Sequence, residues 1–228
     1  MSTEPPPRDP EARGLPLIVV LLVLTVVSGL IDAVSYLGLH HVFTANMTGN
    51  VVVLGFAAAG APGFSVPHTA TSLGCFLAGA LAGGRVATWL GGGSRRTWAR
   101  VTLAAEAVLV GAASAVAFAA PDANGTTYAV IALCALAMGL RNATVRKLGV
   151  PDLTTTVMTM TLTGLVSDSH LTGGTGTRAP RRAASVLALL AGALLGAWLV
   201  LHHGLGIPLL IAALAVGLLA VTASGRER

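Results

Sequence analysis

Two short runs of hydroxyl and amide residues interrupt an otherwise apolar chain: Thr44-Ala45-Asn46-Met47-Thr48-Gly49-Asn50 and Thr154-Thr155-Thr156-Val157-Met158-Thr159. At the start of a helix, such a run offers free backbone N–H groups, the positive end of the helix dipole and capping oxygens. That combination makes a site for an anion or a polar neutral solute. The candidate binding residues are Thr44, Asn46, Thr48, Gly49 and Asn50 from the first run, with Thr154, Thr155 and Thr159 from the second. The competing reading is that these side chains only cap short helices and satisfy their own termini.

Three further residues form a candidate charge and polar network: Asp32, Arg141 and Asn142. Asp32 falls inside the first apolar window, where an unpaired charge costs roughly 2.5 to 3.5 kcal/mol on insertion scales, so it needs a partner or water. Arg141 is expected to supply it. Glu106, nearer a membrane surface, is expected to be neutralised by Arg85 or Arg100. His40, His41, His68, His202 and His203 gather at the opposite surface, but adjacent histidines lack the i, i+4 spacing that puts two ligands on one helix face. No metal site is expected. The chain has no GxSxG, HExxH, Walker A loop or CxxC pair, and so no catalytic set, no cofactor and no enzyme are expected.

The elements that must hold these residues follow from composition. Of 228 residues, 54% are hydrophobic and 10% charged, and the mean hydropathy is +0.79. Soluble domains do not reach these values. Crossing a bilayer takes about 20 apolar residues, and six windows qualify: Pro16 to Leu39, Ser65 to Leu90, Ala99 to Ala120, Thr126 to Lys147, Arg182 to Leu201 and Leu205 to Ala223. Two windows, Asn46 to Ala61 and Thr154 to Val166, are too short and read as re-entrant or broken helices. The expected fold is an all-α integral membrane bundle, with a disordered cytoplasmic tail at 1–15 and one transmembrane domain at 16–223. The pI near 10.2 reflects topology rather than nucleic-acid binding. With six spans and both termini cytoplasmic, all 14 lysines and arginines lie inside.

Self-comparison gives a weak repeat at an offset of 110 to 111 residues, in which Gly29, Leu30, Asp32 and Ala33 match Gly139, Leu140, Asn142 and Ala143. Thr44, Met47 and Thr48 likewise match Thr155, Met158 and Thr159. Repeat one covers about 16–120 and repeat two about 126–223. Three crossings per copy invert one against the other, an arrangement that usually puts a solute site near the midplane. Gly74, Ala78, Gly79 and Gly83, and Gly192 and Gly196, follow small-xxx-small spacing and predict close helix packing.

The segments GLIDAVSYLGLHHVFTANMTGNVVVLG at Gly29 to Gly55 and GLRNATVRKLGVPDLTTTVMTMTLTGL at Gly139 to Leu165 resemble the signatures of the YoaK-like family of bacterial membrane proteins, which carries a domain of unknown function. The resemblance covers nearly the whole chain after the tail. It implies a multi-pass protein of the bacterial cytoplasmic membrane and brings no activity with it. Where the family commonly reads Thr-Gly-Thr, this chain has Thr159-Met160-Thr161. The expected function is a small-solute transporter or channel, whose partners are the lipid bilayer, an unknown solute and, at most, further copies of itself. The alternative is a non-transporting scaffold or assembly factor whose polar motifs are structural.

Overall fold

The computed structural model describes residues 17–89, 95–121, 123–148, 158–169, 172–174 and 176–222. The tail at 1–15, together with Thr154 and Thr155, lies outside them. Among the described residues the chain is all-helical: α1 Leu17–Gly38, α2 Met47–Ala58, α3 Val66–Trp89, α4 Arg95–Ala119, α5 Asn124–Leu148, α6 Met158–Ser167, α7 Ala179–His203 and α8 Gly206–Thr222.

Five of these helices, α1, α3, α4, α5 and α7, are long and apolar enough to cross a membrane. The sixth, α8, has 17 residues and rises about 26 Å at 1.5 Å per residue, close to the hydrocarbon thickness of about 30 Å. By the same arithmetic α2, with 12 residues, and α6, with 10, rise only about 18 and 15 Å and do not span. The protein is a helical membrane bundle with the six long and two short elements that length and hydropathy predict.

Helix pairing puts α1 against α7, α3 against α5 and α4 against α8, while α2 rests on α3 and α6 on α7. The first two pairs are closed by glycine. A methyl group on Gly192 would collide with the Val26 carbonyl, and one on Gly29 with the Leu189 carbonyl. The other pair repeats this, with Gly79 against Leu136 and Gly139 against Phe76. Helices in lipid gain little from hydrophobicity and associate through such close backbone approach. Gly83 and Gly196 also serve in these seams, whereas Gly74 faces open space. The interior is filled by Leu21, Ile31, Val34, Val110, Ile131, Met138 and Val216. On the outside, Leu77, Leu81, Leu187, Leu190 and Leu194 are exposed, as suits a surface bathed in lipid. Both thiols, Cys75 and Cys134, are free.

Candidate functional site: a polar cavity at a re-entrant turn

Asp32 lies six residues before the end of α1 at Gly38, and so about 9 Å below that end. The connection to α2 turns back on two successive left-handed residues, His40 and His41, each at φ 58°. Non-glycine residues in that region carry about 1 kcal/mol or more of strain. The turn is tied down by the His41 ring, whose Nδ1 lies 3.0 Å from the Gly63 carbonyl and which packs edge-on against Tyr36. The chain thereby descends to the level of Asp32.

Backbone outside a helix at this depth must find partners within the protein, and the N–H groups of Phe43 to Asn46 do. Asp32 Oδ1 accepts the N–H groups of Thr44 at 3.1 Å, Ala45 at 2.7 Å and Asn46 at 3.4 Å. Asn50 holds Phe43 from both sides, its Oδ1 accepting the Phe43 N–H at 2.9 Å and its Nδ2 donating to the Phe43 carbonyl at 2.6 Å. Ser72 of α3 donates to the same carbonyl at 2.6 Å and accepts from Asn50 Nδ2 at 3.1 Å. Asn46 then caps α2, its Oδ1 accepting the Gly49 N–H at 3.3 Å. A side chain at Gly49 would strike the Phe43 ring.

Beside this turn is a cavity of about 410 Å³, lined by Asp32, Asn46, Thr48, Gly49, Val52, Met158, Thr159 and Leu189. Of the residues named from sequence, Asp32, Asn46, Thr48, Gly49 and Thr159 therefore come together, from α1 and the starts of both short helices. Thr44 and Asn50 do not. Both are fully buried, and they serve the turn rather than the cavity.

The expected Asp32–Arg141 pair is not formed, and neither is the expected neutralisation of Glu106 by Arg85 or Arg100. Arg141 pairs with Glu106 of α4 instead, through Nε to Oε2 at 2.9 Å and through a second bond from Nη2 to Oε1. Its Nη1 donates to Ser28 Oγ at 2.6 Å and to the Leu24 carbonyl at 2.9 Å. The physical reason is the fork of the guanidinium: a bidentate carboxylate and two neutral acceptors engage all three of its nitrogens and four of its five N–H donors, while Asp32 is already engaged by the turn. Asn142 donates to the Met138 carbonyl at 2.8 Å and is not among the residues lining the cavity. Sequence reasoning also missed Ser72, Val52 and Leu189. Glu106 carried a usable signal, being the lone acid of an apolar helix, but its partner depended on how the helices rotate.

A second cavity, also of about 410 Å³, lies between the end of α6 and the start of α7. There Arg182 bonds Asp168 at 2.7 Å, and this hydrogen bond holds the Asp168 carboxyl below the ordinary aspartate range. The histidines form a ring stack, His40 on His68 at 4.5 Å and His68 on Tyr128 at 4.3 Å. Among the described residues no three metal-ligating side chains converge.

Fold and site together define a multi-pass helical membrane protein that holds a carboxylate at a polar cavity between its spans. The chain belongs to the family described as Protein of unknown function (DUF1275), which matches residues 20–222, as the sequence resemblance implies. It is 35% identical over 152 residues to the UPF0700 transmembrane protein YoaK of Bacillus subtilis (strain 168), a match covering 65% of each chain. The chain thus spans just under two thirds of that relative's length. No solved structure matches it.

Proposed function

We propose that the protein is a small-solute transporter or channel of the bacterial cytoplasmic membrane, working without catalysis, with the Asp32 cavity as its binding site. The observation that carries this reading is the cavity itself, which draws polar residues from the starts of two helices that do not span. Structures that stop within the membrane are tolerated where they line a wet cavity, and paired half-helices of this kind form solute sites in inverted-repeat transporters.

The proposal includes two inverted repeats, α1 to α4 and α5 to α8. Several equivalences support it. The α1–α7 and α3–α5 seams correspond under exchange of the copies, as do the α2–α3 and α6–α7 contacts. Gly29 and Gly139 occupy matching places in them, as do Gly79 and Gly192. Ser72 and Ser185 are both fully buried at corresponding positions of α3 and α7. Placing both termini in the cytoplasm puts every lysine and arginine on that side.

The rival reading, a non-transporting scaffold, draws on the structural work of Thr44 and Asn50 in the turn. Uptake into proteoliposomes separates the two. Under the transport reading, wild-type vesicles accumulate a small polar solute and Asp32→Asn vesicles do so at least ten-fold more slowly. Equal leak in protein-containing and empty vesicles, across a broad solute panel, would leave only the scaffold.

A further inference from the structure

We infer that the solute carries a positively charged nitrogen on a short apolar body, a small organic ammonium compound, bound through Asp32 Oδ2. This rests on the cavity being a solute site and names the chemistry that site selects.

Four of the donors that could favour an anion are already taken. The N–H groups of Thr44, Ala45 and Asn46 are committed to Asp32 Oδ1, and that of Gly49 to Asn46. What would have been an anion cradle at the start of α2 holds the protein's own carboxylate. An incoming anion meets a negative charge there.

Asp32 Oδ2, by contrast, accepts no hydrogen bond from the described residues, and it is not among the polar atoms sealed away from contact. Among the described residues Asp32 is also the one ionisable group of the cavity lining. Its full charge exceeds the partial positive charge, roughly half a unit, at the start of α6, where Met158 and Thr159 face the same space. Arg141 makes no direct pair with it, being held in a bidentate pair with Glu106.

The remaining walls argue for an organic cation over a bare metal ion. Calcium takes six to eight oxygen ligands and magnesium a near-ideal octahedron, whereas this cavity presents one open carboxylate oxygen and the hydroxyls of Thr48 and Thr159. Asn46 adds an amide whose Oδ1 caps α2, and the other lining side chains, Val52, Met158 and Leu189, are apolar. An ammonium group supplies the N–H donors that Oδ2, Thr48 and Thr159 can accept, and its alkyl part covers the apolar side.

The test uses the full chain in lipid nanodiscs and three probes of one size: propylammonium, propionamide and propionate. Calorimetric titration should show propylammonium binding at least ten-fold tighter than propionamide, with no binding of propionate. Asp32→Asn should remove the preference for the cation, because the amide oxygen still accepts the three turn N–H groups while an NH₂ replaces Oδ2. Thr159→Val, at an exposed hydroxyl outside the fold's core, should weaken propylammonium several-fold and keeps the test decisive if Asp32→Asn does not fold. Propionate binding as well as the cation would overturn the inference, as would an unchanged preference in folded Asp32→Asn or no binding of any probe. Uptake in proteoliposomes is scored separately. Cation binding without uptake refutes transport and retains this assignment, while uptake with an anion-first ranking retains transport and refutes the assignment.

Discussion

Among the described residues two acidic side chains lie inside the bundle, and their surroundings differ in kind. Glu106 is sealed from solvent and matched by a guanidinium that also satisfies two acceptors on α1. Asp32 is matched on one oxygen only, by three backbone N–H groups, and its other oxygen stands at a cavity. A carboxylate with both oxygens matched holds helices together. One with a valence left open toward a cavity can meet a ligand. Intramembrane charge alone therefore does not identify a functional residue; what decides is whether the protein has finished solvating it.

The strongest way to break this comparison is to unbalance the closed pair. Arg141→Met should cost about 3 to 5 kcal/mol by leaving Glu106 buried and uncompensated, read as a collapse in folded yield and melting temperature in detergent. Adding Glu106→Leu should recover most of that loss, since an apolar pair of similar volume is often as stable as a buried ion pair. If the double variant stays as unstable as the single, the pair is not self-contained.

Next in size is the glycine seam that brings α7 up to α1 just below Asp32. Gly192→Ala should cost about 1 to 3 kcal/mol through overpacking against the Val26 backbone, visible as a lower melting temperature. Gly74→Ala, at a position facing open space, is the matched control and should change little.

Asp32→Asn is expected to reverse the usual link between burial and stability. The amide oxygen retains the three turn bonds, so the loss should be no more than that of an ordinary hydrogen bond, about 1 kcal/mol, while uptake falls at least ten-fold. A large destabilisation with unchanged uptake would make Asp32 a structural charge like Glu106.

The smallest effect belongs to the Asp168–Arg182 pair, whose carboxylate is exposed while its guanidinium is buried. Because the hydrogen bond from Arg182 depresses the folded carboxyl, its contribution is complete above the ordinary aspartate range and is lost only as pH falls through the lowered folded value. Thermal stability should thus show no step from this group between pH 7 and 5, and Asp168→Asn should narrow the gap to wild type only well below about pH 4.

Much of this molecule was legible without coordinates. Six apolar windows, two short polar-led segments and the small-residue seams follow from length, hydropathy and spacing, because a bilayer imposes a fixed thickness and forbids unpaired backbone. The candidate site was legible in part. Asn46, Thr48, Gly49 and Thr159 were identified by type and position, and Asp32 by the cost of its charge, and all of them line the cavity.

What the sequence could not determine was which way each polar group turns and whom it meets. Thr44 and Asn50 look no different from Thr48 in a string of letters, yet the turn folds them inward and leaves Thr48 open. Arg141 met Glu106, 35 residues away, rather than Asp32. Those outcomes depend on helix rotation and on glycine contacts between segments more than a hundred residues apart. A hydrogen bond is satisfied over about 3 Å and a narrow range of angles, so only the assembled bundle decides which polar groups remain free to bind.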